Sequence, residues 1–432
     1  PSGWGPEGLD GHGGILSLQW HHLWHHQFRG PHLRVPQSNL ARRGGREPSL
    51  HRIHHALAGD RNDLFLSMVA GVLTDKLGIR VTTVAGGAIA NSRMFLSSIY
   101  YKQPKILIVT MGLIFGTGAS LAYTPSLVIL GHYFFKKLGI VNGVVTAGSS
   151  VFTIIISELL RLVIDKHGLK TCFQVLSGLM AVLMVRVLSL VCGFTFKPLL
   201  PDLPAPPPPE APGKSVRARC RRFFSLFINF EIWKNKRYVL WTLAIPSALF
   251  GYFVPYIHLV AYAKDVLGKD VNTRILVQCI GGTSGLGRIF FGLIADKPWV
   301  NRIVLQQISF FCIGCLTMLL VAANQFWIFI VISLGMGLFD GCFISLLGPI
   351  AFDIVGPVGA SQAIGCLLAF CSIPLTIGPY VAGTLYDHLG SYVVPFLCAG
   401  IPPILGGLAL FFMRCIEVPP KVSSKMASPF GM

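Results

Sequence analysis

Ten stretches of this chain are each long and apolar enough to cross a lipid bilayer, and that pattern leaves few architectures open. They fall near 79–100, 105–131, 137–165, 171–196, 238–262, 271–295, 302–324, 326–352, 359–386 and 391–416. A spanning helix needs about 20 mostly apolar residues, because it rises about 1.5 Å per residue across a hydrocarbon core of about 30 Å. An eleventh run, 63–74, reaches only roughly 18 Å and is too short. Asp, Glu, Lys and Arg make up 12% of the residues, about half the share of a soluble domain. Eighteen acidic residues cannot supply the water-facing surface of 432 residues, so lipid is the expected solvent. The fold class is all-α and polytopic.

The net charge is +18. A nucleic-acid-binding protein gathers its basic residues on a polar domain. Here most of them occupy short gaps between apolar runs, apart from an Arg-bearing N-terminal stretch, which is the positive-inside pattern of a multispanning protein. The bilayer is the expected partner, and nucleic acid is not. The eleven Cys form no spaced framework; Cys279, Cys312, Cys315 and Cys366 lie inside apolar runs and read as small hydrophobes. No cofactor and no metal are expected.

Residues 1–62 contain no span and hold nine of the thirteen His. His21, His22, His25 and His26 lack fixed ligand spacing, so this segment reads as non-native or disordered sequence rather than a metal tract. Residues 63–196 form an incomplete N-terminal bundle. Residues 197–237 carry Pro204, the run Pro206 to Pro209, and Arg217, Arg219, Arg221 and Arg222, the composition of a flexible cytoplasmic loop. Residues 238–416 form a C-terminal bundle and 417–432 a cytoplasmic tail. The chain opens on Pro1 rather than Met, and the expectation is two six-helix bundles with the first helix missing or mis-assigned.

An internal repeat supports two halves. Gly71, Asp75, Lys76, Gly78 and Arg80 follow the short run; Gly292, Asp296 and Lys297 follow the run at 271–295, with Arg302 close behind. Both copies place Gly, three residues, Asp and Lys at the basic end of a helix, as duplicated halves would. Gly permits close helix contact, and Asp can face a helix N-terminus or a basic partner.

Charges inside apolar spans mark the chemistry, because each costs roughly 2.5–3.5 kcal/mol at a bilayer centre even on lenient scales. Arg288 and Asp340 lie in different spans of the second half, each among small or apolar residues. We expect them to pair across a central cavity, with Arg288 also receiving a substrate carboxylate on its planar fork. A buried ion pair that only joins two helices is the alternative. His258 stands in the outer part of its span as a substrate contact, a pH-sensitive group or a satisfied interfacial His, and Pro255 is expected to break that helix. Arg93 and Arg186 read as snorkelling or peripheral residues. The stretch Gly281 to Gly287 reads as helix packing, since it lacks the Gly-Lys-Ser/Thr of a phosphate loop. No HExxH and no GxSxG occurs, so a membrane protease or lipase has no visible site.

The repeated Gly-x-x-x-Asp-Lys/Arg pattern resembles the signature loop of the major facilitator superfamily. Tyr133-Phe134-Phe-Lys-Lys-Leu-Gly-Ile-Val-Asn142-Gly143, continuing to Gly148, resembles the signature of the monocarboxylate transporter family. Pro125 to Phe134, Gly251 to Leu259 and Gly337 to Ser345 resemble the branch that contains the T-type aromatic amino-acid transporter and the thyroid hormone transporter. The resemblance covers about residues 69–416. It implies a multi-pass carrier of the plasma membrane, with both termini cytoplasmic. It further implies sodium-independent facilitated transport of aromatic amino acids, with iodothyronines a further candidate class. In that branch the residues matching Arg288, Asp340 and His258 belong to the substrate site, and Phe343 lines it. The partners implied are a small carboxylate-bearing substrate and either an ancillary single-span subunit or a second copy of the chain. The family's proton-coupled lactate branch carries Asp one turn before the Arg, where this chain has Ser284. The competing readings are therefore a proton-linked carrier of lactate or pyruvate and a non-transporting truncated product lacking one wall of the cavity.

Overall fold

The structure is a computed structural model that describes residues 66–100, 115–134, 137–193, 230–268, 271–357 and 359–416. The expectations for residues 1–62, for most of the Pro-rich loop and for the tail after 416 lie outside the described residues. Helices account for the architecture. In the first half, α1 (Ser67–Leu77) and α2 (Ile79–Ile99) meet at Gly78, whose φ of 86° suits glycine. They are followed by α3 (Phe115–Tyr133) and α4 (Leu138–Gly193). The α4 segment breaks at Gly168 (φ 80°), between the expected spans 137–165 and 171–196.

A short α5 (Phe230–Lys234) leads into the second half. There α6 (Lys236–Leu267), α7 (Arg274–Ala295), α8 (Arg302–Leu319), α9 (Phe326–Val355), α10 (Ala360–Leu389) and α11 (Val393–Phe411) follow one another. These last six, with short 3₁₀ extensions of α8 and α11, are the six helices among the described residues long and apolar enough to cross a membrane. They coincide with the six spans expected after residue 237. Two expectations fail: α2, which covers the expected span 79–100, is not among those six helices, and α6 runs unbroken through Pro246 and Pro255. Proline is tolerated in a spanning helix when neighbours accommodate the freed backbone groups, and α11 packs closely beside this turn, with the Ala399 carbonyl against Gly251.

The distribution of side chains is inverted relative to a water-soluble bundle. On α7, Ser284, Gly287, Arg288 and Gly292 are buried. Leu286 is 66% exposed and Phe290 53%, with Leu293 beside them. The polar and small residues recur at i, i+4 and i+8 on the inner face, and the large apolar ones at i, i+4 and i+7 on the outer face. Apolar surface of this kind is stable only against lipid. Aromatic and aliphatic residues still form the cores between helices. The larger core joins Tyr238, Trp241, Tyr252, Phe310, Phe343 and Leu346, and a second gathers Tyr262, Phe329, Tyr392 and Phe396.

Leu286→Arg tests this orientation. It is expected to disfavour insertion of α7 by about 2.5–3.5 kcal/mol, read as a lower inserted fraction in a glycosylation-mapping assay. Unchanged insertion would contradict a lipid-facing position.

Candidate functional site

The site forms where α4, α7 and α9 cross. Small residues set the distance. A methyl group on Gly287 would strike the Leu338 carbonyl, and one on Gly341 would strike the Ser284 carbonyl, so α7 and α9 touch backbone to backbone. Gly143 of α4 leaves the same kind of room for the Arg288 carbonyl. The Gly281–Gly287 stretch therefore includes packing glycines, as expected. The close approach brings Arg288 and Asp340 together from separate helices.

Arg288 is fully buried and Asp340 is 4% exposed. The Nη1 of Arg288 donates to the Thr146 carbonyl at 2.7 Å and to Ser149 Oγ at 3.0 Å, both on α4 of the first half. The guanidinium therefore spans the seam between the halves. Its Nη2 lies 3.7 Å from Asp340 Oδ2. Nε and Nη2 have no hydrogen-bond partner. Asp340 is held by hydroxyls: Tyr252 of α6 donates to Oδ1 at 2.5 Å, and Ser284 of α7 donates to Oδ2 at 2.6 Å. Phe343 packs between Tyr252 and Phe310, with ring centroids 5.4 and 5.2 Å away, and Tyr256 stacks on Tyr252 at 5.5 Å. Charge, counter-charge and an aromatic wall are thus adjacent.

The other expected residues are dispersed. His258 is buried against α10, its Nε2 3.2 Å from the Pro379 carbonyl, with its ring beside Tyr392. Asn142 donates from Nδ2 to the Ser345 carbonyl at 2.7 Å, joining α4 to α9 below Arg288. Tyr133 closes α3, Phe134 is exposed just after it, and no atom outside its own helix segment lies within 4 Å of a methyl placed on Gly148. Arg93 corrects its expectation: it is 2% exposed. Gly86, Ala90 and Arg93 share the inner face of α2, a placement that an apolar run alone does not reveal. The Arg186 side chain lies outside the described residues.

The two repeat motifs meet opposite halves in the same way. In the second half, Asp296 accepts from the backbone N–H of Gly139 and Ile140, each at 2.8 Å, in the first turn of α4. Those N–H groups have no partner within the helix, and a carboxylate there also favours the helix dipole. Arg302 braces Asp296 at 2.9 Å and binds Asp353 with a second nitrogen. In the first half, Asp75 accepts from Gln362 Nε2 at 2.9 Å, in the first turn of α10. Gly71 lies against the Ser361 carbonyl and Gly365 against that of Ser67, just as Gly292 lies against Gly139. Lys76, Arg80 and Lys297 are exposed beside these contacts. The two halves are thus in contact on this basic face.

Tyr252, Ser284, Thr146 and Ser149 carry site contacts that sequence reasoning did not assign. Ser284 stood out only as a departure from a family pattern, and a hydroxyl in an apolar run gives no signal of its partner.

These features define a multi-pass membrane transporter. A family model described as Major Facilitator Superfamily matches residues 62–323 and 283–429. Human Monocarboxylate transporter 10 is 46% identical over 357 residues, covering 82% of this chain and 67% of the relative. Chicken Monocarboxylate transporter 4 is 28% identical over 371 residues, covering 83% and 75%. Among solved structures, the E. coli fucose:proton symporter aligns with a TM-score of 0.65 at 13% identity over 82% of this chain and 89% of that one. The human organic anion transporter MFSD10 aligns at 0.64 and 14% identity over 83% and 82%. The chain belongs to the monocarboxylate transporter family of the Major Facilitator Superfamily.

Two outcomes follow from the geometry. Asp340→Ala leaves the guanidinium without its counter-charge and is expected to cost about 3–5 kcal/mol, whereas Arg288→Met with Asp340→Leu should recover most of that stability; thermal unfolding in detergent measures both. Asp296→Ala should remove about 1–2 kcal/mol of capping at α4, read as faster thiol labelling of a cysteine placed at Ile140.

Proposed function

We propose that this protein carries aromatic amino acids across the plasma membrane by alternating access, without sodium and without covalent catalysis. Iodothyronines are a further candidate class. The observation that carries this reading is the unpartnered edge of Arg288. A guanidinium buried at the seam between the halves, with Nε and Nη2 unpartnered, suits a carboxylate that binds bidentately. Arg288 would take the carboxylate, Asp340 the counter-charge role, and Phe343 a share of the ring contacts, with His258 a candidate contact at the α6–α10 seam. The aromatic wall of Tyr252, Tyr256 and Phe343 beside the charges favours a substrate that pairs a carboxylate with a ring.

Identity to Monocarboxylate transporter 10 is 46%, against 28% to Monocarboxylate transporter 4, which agrees with the branch motifs. Rocking of the halves would open the basic face, proposed as cytoplasmic, and close the opposite face. The Pro-rich segment ahead of α5 would be the cytoplasmic tether between them. An ancillary single-span subunit or a second copy of the chain is the proposed protein partner. The second reading, proton-linked lactate or pyruvate transport, is less well supported because Ser284 supplies no carboxyl beside Arg288 on α7.

Cells expressing the chain at the surface should accumulate radiolabelled tryptophan independently of sodium, and Arg288→Lys should raise KM about tenfold through loss of the planar fork. Lactate uptake with cell acidification, and no tryptophan uptake, would favour the second reading. No uptake of either despite surface expression would remove both.

A further inference from the structure

Asp340 and Arg288 are buried side by side, yet they are not hydrogen-bonded. A charge-assisted N–H···O bond measures about 2.7–2.9 Å, and the shortest approach between these groups is 3.7 Å. A carboxylate and a guanidinium in an apolar surrounding gain most by closing to a bidentate pair. Here each carboxylate oxygen accepts from a hydroxyl, Oδ1 from Tyr252 and Oδ2 from Ser284, and these two bonds fix where the carboxylate lies. The guanidinium meanwhile keeps two nitrogens without acceptors.

We propose that Tyr252 and Ser284 are positioning residues that hold Asp340 back from Arg288, leaving the Nε–Nη2 edge free for the carboxylate of the substrate. This rests on the reading that Arg288 receives that carboxylate. Coulomb attraction falls only as the inverse of distance, so a carboxylate held at 3.7 Å rather than in contact retains about three quarters of it. Asp340 thus neutralises the buried cation without filling its fork. Tyr252 suits the task because its ring is stacked on Tyr256 and packed against Phe343, which fixes the hydroxyl. Ser284 stands one turn before Arg288 on α7, and its short side chain reaches Asp340 and no further. The same pair explains why a serine serves here: a carboxylate at 284 would compete for the guanidinium, whereas a hydroxyl draws Asp340 away from it.

The test is tritiated tryptophan binding to the full chain, purified and held in lipid nanodiscs, alongside its unfolding temperature. Tyr252→Phe with Ser284→Ala should bind tryptophan about tenfold more weakly, the scale of one charge-assisted hydrogen bond. It should unfold no lower than the parent, because Asp340 closes onto Arg288. Adding Asp340→Asn to that double variant removes the competing charge and should restore part of the affinity, and Ser284→Thr alone should bind like the parent. Unchanged affinity in the double variant overturns the proposal. So does a loss that Asp340→Asn does not relieve, or a double variant that unfolds below the parent, since either marks the hydroxyls as structural. If the parent binds no tryptophan, the aromatic-substrate reading falls and the proposal falls with it; if Arg288→Lys binds it equally well, the carboxylate reading itself falls, and the proposal again with it.

Discussion

A guanidinium buried where three helices cross is the constraint on which the rest of this structure depends. Arg288 is fully buried, in a segment whose outer face is Leu286, Phe290 and Leu293. A cation there survives only with a counter-charge and hydrogen-bond acceptors. The counter-charge comes from α9 and the acceptors from α4, so one side chain obliges helices of both halves to converge. The glycines at 143, 287 and 341 are what make that convergence sterically feasible.

The same helices carry the closing contact on the basic face. Gly292 lies one turn beyond Arg288 on α7 and Asp296 one turn further, and both press on the start of α4. Thr146 and Ser149, which accept from Arg288, lie on that same α4. Separation of the halves at the basic face would therefore strain the hydrogen bonds at Arg288. On the proposed reading, a substrate carboxylate that changed the partners of Arg288 would act on the element that has to move. The first half repeats the arrangement with different donors, since Asp75 accepts from the Gln362 amide where Asp296 accepts from two backbone N–H groups and Arg302.

Much of this was legible in the chain itself. Spans after residue 237 followed from length and apolarity, because a bilayer imposes a fixed thickness that composition must match. The Gly and Asp pairs at 71/75 and 292/296 announced duplicated halves because both copies recur at helix ends. Arg288 and Asp340 stood out because charge in an apolar run needs a reason. Other features were hidden. Arg93 looked peripheral, since hydropathy ignores which face of α2 turns inward. Pro255 looked like a break, since the packing of α11 against that turn is not written locally.

The sequence by itself determined the solvent, the second-half helices and the need to bury Arg288 and Asp340, because these depend on composition and local periodicity. It also carried the family signature. Only the tertiary structure decided how those charges are partnered. Tyr252, Ser284 and Asp340 lie on three different helices, and the distance of 3.7 Å between Asp340 and Arg288 reflects how α6, α7 and α9 pack. Hydrogen bonds at such crossings join residues 56 and 88 positions apart, and no local pattern encodes a contact of that range.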